Sequence, residues 1–206
     1  MKTKFAFFDF DDTLIHGDSG RKLLKYYLKK HPLSAVRLLK VVYHYALYLL
    51  KVEPLNAAKS AWLYPLDFMD DAEIEDFYIS CLESCYYPAV VAELEKKKAE
   101  GYTIYICSAS VEAYLRFCRL PVDAIMGTKT KIINGHYTGQ MIGKNCKNEE
   151  KVRRINEEIK NHNLEIDYDL SYAYSDSLHD IPMLSMVKNR IKIDTKDGHM
   201  SVFEIE

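Results

Sequence analysis

Three short apolar runs in this chain each close on a knot of carboxylates or hydroxyls. Lys4–Asp9 leads into Asp9-Phe10-Asp11-Asp12-Thr13-Leu14, Tyr102–Cys107 into Ser108-Ala109-Ser110, and Tyr168–Tyr174 into Ser175-Asp176-Ser177-Leu178-His179-Asp180. A run this short, rich in aromatic and aliphatic residues, reads as a strand buried on both faces, with polar groups at its carboxyl end. After Tyr102 the pattern alternates. A helix is expected over Val111–Cys118, a strand over Ala124–Met126, a helix over Lys147–Asn161, a helix over Ile181–Val187 and a last parallel strand over Arg190–Ile193. Lys129–Ile133 and His136–Thr138, joined by Asn134-Gly135, read as a hairpin with a two-residue turn. Alternating strands and helices imply an α/β fold, a Rossmann-like parallel sheet with helices on both faces.

A helical block interrupts this order after the first strand. Ser19–His31, capped by Asp18 or Ser19, Leu33–Val52, following Pro32, and Asp70–Cys85, capped by Asp70 or Asp71, all read as helices. Pro88 then opens a helix that Gly101 stops. The block is too long for a crossover, so residues 17–87 are expected to form an inserted helical domain, and 1–16 with 88–206 the core of the fold. A chain of 206 residues has room for that arrangement and for a sizeable core. The net charge of −2 argues against a general nucleic-acid binder. Five cysteines, an odd number without a Cys-x-x-Cys pair, argue against a zinc site or a disulfide framework and for a reducing compartment. Asp9, Asp11 and Asp12 cut short the apolar run behind Lys2 and Lys4, unlike a signal peptide, and no charge-free stretch reaches the ~20 apolar residues of a spanning helix.

In open parallel sheets, ligands bind at the carboxyl ends of the strands. There the sequence gathers Asp9, Asp11, Asp176 and Asp180. Carboxylates held close repel by several kcal/mol, so such a cluster requires a cation or partial protonation. All-oxygen donors select a hard ion such as Mg²⁺, which can also bridge carboxylate and phosphoryl oxygens.

Asp9-x-Asp11-x-Thr13-Leu14, Ser108 after a second strand, a lysine near a helix start and Asp176-x-x-x-Asp180, in this order, resemble the haloacid dehalogenase (HAD) phosphatase superfamily. The helical insert directly after the first motif resembles the branch with a helical cap there, which includes phosphoserine phosphatase. The resemblance implies that Asp9 attacks phosphorus and forms an aspartyl-phosphate, and that Asp11 protonates the leaving oxygen and then activates water. It implies Mg²⁺ held by Asp9, the Asp11 carbonyl and Asp176, with Asp180 as ligand or support, and a phosphoryl oxygen held by Ser108 with amides near Ala109 and Ser110. Thr13 would brace the first loop. The family's lysine could be Lys147 or Lys151, which share a helix face four residues apart. Phosphoserine phosphatases carry it where Lys147 stands, and a related branch carries it in a Cys-x-x-x-x-Lys pattern that matches Cys146 to Lys151. Two departures stand out: Asp12 occupies a position that is commonly glycine, and Ser175-Asp176-Ser177 replaces the frequent Gly-Asp-Gly.

The insert is expected to set the substrate, because it closes over the open sheet face. Between Ser19 and Val52 there are eight basic residues and no acid. Leu33–Val52 is almost wholly apolar, with Arg37, Lys40, His44 and Lys51 in a narrow stripe. This is the pattern of a helix lying on an anionic membrane surface, or alternatively of a bundle core with snorkelling lysines. Together with His31-Pro32-Leu33, Cys146–Val152 and Tyr174–Asp180, the layout resembles the bacterial phosphatidylglycerophosphatase C group. The expectation is therefore a cytoplasmic phosphomonoesterase, peripheral at the inner face of the membrane through segment 21–51, acting on a phospholipid-type phosphomonoester such as phosphatidylglycerophosphate. The alternatives are a phosphatase of a small soluble metabolite such as phosphoserine, whose amine Asp18 would meet, and a non-catalytic membrane- or partner-binding module on the same scaffold.

Overall fold

The computed structural model describes residues 2–204; Met1, Ile205 and Glu206, at the ends of the expected core, lie outside the described residues. Strand β1 (Phe5–Phe8) is buried along its whole length and runs parallel to β2 (Thr103–Val111) on one side and β6 (Tyr172–Ser175) on the other. β3 (Ala124–Thr128) extends the sheet beyond β2, and β7 (Asn189–Ile193) extends it beyond β6. Alternate residues of β1 point to opposite faces, as the two-residue period requires. Phe5 and Phe7 join Tyr105, Ile155 and Ile159 on one side; Ala6 and Phe8 join Phe10, Leu14 and Val90 on the other. Helices cover both layers, among them α5 (Pro88–Ala99) and α7 (Glu149–Asn161). The α/β expectation thus holds.

Arg190–Ile193 lies in β7, the last parallel strand as expected, but one more strand follows it. A turn through Gly198 (φ +75°) brings back β8 (Met200–Val202), antiparallel to β7 at the sheet edge. β6 begins at Tyr172 rather than Tyr168, because Asp167 folds the preceding residues into a turn, accepting bonds from Leu170 N and Ser171 N. The hairpin pairs β4 (Thr130–Ile133) with β5 (His136–Met141), and Asn134 and Gly135 both take the positive φ that its tight turn demands.

Between β1 and α5 lie helices α1 (Ser19–Lys30), α2 (Leu38–Leu49), α3 (Leu55–Trp62) and α4 (Asp71–Phe77). The single helix expected over Leu33–Val52 is divided: a 3-10 turn spans Pro32–Arg37, and α2 stops before Lys51, which adopts φ +58°. The helix expected to Cys85 widens into a π turn over Tyr78–Leu82 and tightens over Glu83–Cys85. Ser80 and Ser84 donate back to the carbonyls four residues earlier, which bends helices. The chain enters and leaves this helical block side by side: His16 N donates to Cys85 O at 2.8 Å and Tyr87 N to Leu14 O at 2.9 Å. On its far side the block meets the hairpin. A Cβ on Gly139 would stand 2.6 Å from Leu63 O, so only glycine permits the approach.

No helix among the described residues is long and apolar enough to cross a membrane.

Candidate active site

The sheet order β3-β2-β1-β6 places the carboxyl ends of β1, β2 and β6 next to one another. The first strand's chain end turns sharply: Phe10 O accepts from the amides of Thr13, Leu14 and Ile15. Asp12 makes that turn possible. It adopts φ +53°, a conformation tolerated by Asp, and its carboxylate accepts from Gly17 N at 2.7 Å. The residue that departs from the common glycine therefore keeps the backbone shape and adds a brace. Thr13, fully buried, joins β1 to β6: its hydroxyl accepts from Asp176 N (3.1 Å) and donates to Asp176 Oδ1 (3.3 Å).

The serines that replace glycine beside Asp176 are also engaged. Ser175 Oγ donates to Asp180 Oδ2 at 2.7 Å and accepts from Ser177 N at 3.1 Å. Ser177 Oγ accepts from His179 N at 3.2 Å.

At the centre stands Lys151, 2% exposed. Its ammonium donates to Asp9 Oδ1 at 2.6 Å and to Asp180 Oδ2 at 2.8 Å. The ion pair that anchors its helix is Glu150–Arg154 at 2.9 Å, and Arg154 also donates to Gly127 O and Lys144 O. Lys147 lines the same cavity but lies in the exposed loop before α7. Asp9 is pushed up to about 7 by burial, with Lys151 opposing and Asp180 adding to the rise. Lys151 itself is held protonated: burial disfavours its charge, but the two carboxylates outweigh it.

Asp11 faces the insert. Its carboxylate accepts from Ser19 N (3.0 Å), Ser19 Oγ (3.1 Å) and Ser110 Oγ (2.7 Å), and burial raises it to about 6 against these bonds. Tyr114 OH completes the cluster at 2.7 Å from Ser19 Oγ. Ser108, buried, accepts from Ser110 N at 3.1 Å, where β2 breaks its register with β3 between Cys107 and Val111. Asp18 caps α1 by accepting from Arg21 N at 2.7 Å and also borders the cavity.

Asp9, Asp11, Asp18, Ser108, Ala109, Lys147, Lys151, Asp176 and Asp180 all border one cavity of about 250 Å³; Thr13 and Ser110 stand behind its wall. Among the described residues, no three His, Cys, Asp or Glu side chains form a ready cage for a metal ion. That donor set still fits Mg²⁺, which takes one or two carboxylates and keeps water for the rest. Asp9 Oδ1 keeps a second lone pair beside its bond from Lys151, Asp176 spends only Oδ1 on Thr13, and burial raises both acids, so a cation would be welcome between them. Asp180 spends only Oδ2, on Lys151 and Ser175, which leaves its Oδ1 as a donor beside the site; the Asp11 carboxylate is filled by Ser19 and Ser110, which leaves the Asp11 carbonyl.

Residues that sequence reasoning missed come from far along the chain. Lys59 of α3 donates to Ala109 O (2.6 Å) and Asn145 Oδ1 (2.7 Å), and Thr128 Oγ1 lies 2.8 Å from the same two atoms. Burial lowers Lys59 to about 8, with Asp11 and Asp18 opposing. Ser19, expected as a helix cap, instead bonds the Asp11 carboxylate. No local pattern marks these positions; Lys59 reaches partners 50 and 86 residues away, and Ser19 reaches Ser110 across 91.

Comparison with known proteins agrees with the fold. A histidinol-phosphatase of Neisseria meningitidis is 25% identical over 199 residues, covering 92% of this chain and 89% of that one. A structure of a protein of unknown function from Bordetella pertussis superposes with TM-score 0.77 at 22% identity, covering 94% of this chain and 91% of its own. An apo phosphoserine phosphatase superposes with TM-score 0.64 at 16% identity, covering 93% and 86%. The resemblance to the phosphatidylglycerophosphatase group finds no counterpart among these relatives. The pattern of the haloacid dehalogenase-like hydrolases matches residues 6–185, and the chain belongs to that family.

Proposed function

We propose that this chain is a Mg²⁺-dependent phosphomonoester hydrolase in which Asp9 is the nucleophile. The observation that carries the reading is the buried Lys151 bridge, which holds one oxygen of Asp9 at 2.6 Å and leaves the other for phosphorus. Asp9 attacks phosphorus, the ester P–O bond breaks, and Asp11 gives its proton to the departing oxygen. Water then attacks phosphorus, Asp11 takes the water's proton, the bond to Asp9 breaks, and inorganic phosphate leaves. A carboxyl raised to about 6 suits an acid that must become a base near neutrality. Ser108 and the amides of 109–110 hold phosphoryl oxygens, while Lys151 offsets charge between Asp9 and the phosphate. Asp9, Asp176 and the Asp11 carbonyl would hold Mg²⁺, which would supply positive charge against the phosphoryl oxygens. Residues 17–87 act as the cap that closes over this site.

The substrate reading is a phospholipid-type phosphomonoester, supported by an outward-facing apolar and basic surface on the cap. A second reading has its own support. Asp12 and Asp18 border the cavity, where they suit the ammonium of a small phosphoester such as phosphoserine, and the Neisseria relative is named for the ester of an amino alcohol. Phosphate release should be measured with Mg²⁺ on phosphatidylglycerophosphate, lysophosphatidate, phosphoserine, histidinol phosphate and sugar phosphates. Release from none of them would sink the proposal.

Chelation by EDTA should reduce turnover to background, and Mg²⁺ should restore it. At ten times its Kd, Mg²⁺ should raise Tm by about 3–6 °C. Because Asp9 must give up its proton near pH 7, that shift should shrink between pH 8 and pH 5.5. A shift independent of pH would contradict the ligand assignment.

Lys59 is a positioning residue for the 108–110 segment. Its folded-state value, about 8, lies below the ordinary lysine value of 10.5. The cost of its buried charge is therefore full below about pH 8 and is relieved as pH rises toward 10.5, so its contribution to stability improves with pH across that window. Activity runs the other way, because the neutral amine no longer steadies the loop with charge. Beyond the fall near 6 that deprotonation of Asp11 brings, we expect kcat/KM to fall a second time through a midpoint near 8, and this second alkaline limb to be missing in Lys59→Met, whose kcat/KM at pH 7 drops about tenfold. An unchanged alkaline limb in the variant would contradict the assignment.

A further inference from the structure

Helix α2 is turned inside out relative to an ordinary surface helix. At about 100° per residue, Leu39, Val42, Tyr43, Ala46, Leu49 and Leu50 share one side, and all are exposed. Leu39 is 72% exposed and Tyr43 60%. On the opposite side Val41 is the one buried residue of α2. The preceding 3-10 turn adds Leu33, 91% exposed, and Val36. This helix is therefore not the core of the cap bundle. Across a groove of about 570 Å³, lined on one side by Arg37, Lys40 and His44, the hairpin tip presents Ile132 and Ile133, also exposed.

The charge around this face is mostly of one sign, the acids beside it being Glu53, held by His44 at 2.7 Å, and Asp67 in the groove. No acid occurs between Ser19 and Val52, and of the eight basic residues there only Lys30 forms an ion pair among the described residues, with Asp76 at 2.9 Å. The hairpin adds exposed Lys129 and Lys131. Soluble monomers rarely leave an apolar patch of this kind to water. A two-fold contact with a second copy would press the patch against itself, basic rim on basic rim. A bilayer with anionic headgroups offers both what the apolar side chains need and what the rim needs, and exposed tyrosines suit its interface.

We propose that residues 33–52, together with the hairpin tip at Ile132–Ile133, dock on the surface of an anionic lipid bilayer. Leu33, Leu39, Tyr43 and Leu49 enter the boundary between headgroups and acyl chains, and Lys40 and Lys51 reach back to the headgroups from the flank of the helix. The face is coupled to the catalytic cavity through α3, which packs on α2 and carries Lys59 to Ala109. The inference deepens the phospholipid-type substrate reading and rests on it for its biological purpose; docking itself is measured without turnover, so the two fail separately.

The test is co-sedimentation of the full chain with mixed phosphatidylcholine–phosphatidylglycerol vesicles and with pure phosphatidylcholine vesicles. The protein should pellet with the mixed vesicles, remain free with the neutral ones, and be released as salt rises. Leu39→Glu with Tyr43→Glu should lower the partition coefficient at least tenfold. Lys40→Glu should lower it about fivefold, the equivalent of ~1 kcal/mol per headgroup contact. Unchanged circular dichroism and unchanged turnover of p-nitrophenyl phosphate show that these surface variants fold. No pelleting, equal pelleting with both vesicles, or pelleting indifferent to Leu39→Glu/Tyr43→Glu would overturn the proposal. So would light scattering that gives a dimer which the same double variant dissociates, because the face would then belong to a second copy. Pelleting as expected, with no hydrolysis of any lipid phosphoester, would support docking and remove the lipid-substrate reading.

Discussion

Asp9→Asn lowers kcat by roughly 10⁴–10⁶-fold, the range seen when a covalent nucleophile is removed and the rest of its site remains. The substitution keeps the shape of the side chain, and its amide oxygen can still accept from Lys151. Circular dichroism and Tm should therefore stay near those of the parent. One carboxylate leaves a site in which burial has already raised Asp9 to about 7, so the variant bears no added electrostatic strain. Loss of activity without loss of fold is the expected signature. Activity within tenfold of the parent would refute the role assigned to Asp9.

Lys151→Met strikes both activity and stability. Lys151 is the cation between Asp9 and Asp180, at 2.6 and 2.8 Å, and it is buried with them. Breaking a buried ion pair by removing one partner costs about 3–5 kcal/mol, because the remaining charge is left uncompensated. The pH dependence follows from the sign of the acid shifts. A carboxyl whose folded value lies above its unfolded one binds more protons when folded, so its share of stability falls as pH rises through the window between the two values. For Asp9 that window runs from 3.8 to about 7 with Lys151 present. Without the lysine, the deficit relative to the parent should be largest above pH 7 and narrow toward pH 5. Turnover should fall at least about a thousandfold, since charge stabilisation in a dry site is a large catalytic term. Lys147→Met, in an exposed loop, should leave Tm within a degree or so. A stable, active Lys151→Met beside an inactive Lys147→Met would reverse the assignment.

The choice between these lysines shows where sequence reasoning reached its limit. Both fit a helix face when the helix is taken to begin at Lys147. The helix in fact begins at Glu149, after Asn148 adopts φ +52°, so Lys147 is left in the loop while Lys151 enters the buried first turn. The acids at the strand ends were legible, because an apolar strand that stops at a carboxylate is a local pattern and parallel order brings such ends together. The turn residues Asn134-Gly135 were legible for the same reason. Lys59, Asn145 and Ser19 were not, since their roles arise from contacts across the insert that no spacing announces. Helix α3 follows Pro54 with a weak apolar period, and β8 is only Met200-Ser201-Val202 after a glycine turn, too short to stand out. An almost wholly apolar Leu33–Val52 fitted either a bundle core or an outward apolar face, because composition alone does not say which side finds partners. Its division at Arg37 and the burial of Val41 alone within α2 decide for the outward face.

The central claim is a covalent phosphate on Asp9. Rapid quenching during turnover, followed by borohydride, reduces an acyl phosphate to the alcohol with loss of phosphate, which turns the carrying aspartate into homoserine. Mass spectrometry of the tryptic peptide Phe5–Arg21 should then find homoserine at position 9, only when Mg²⁺ and substrate are both present. Homoserine at another aspartate, or unmodified Asp9 in an enzyme quenched while it is turning over, would contradict the account.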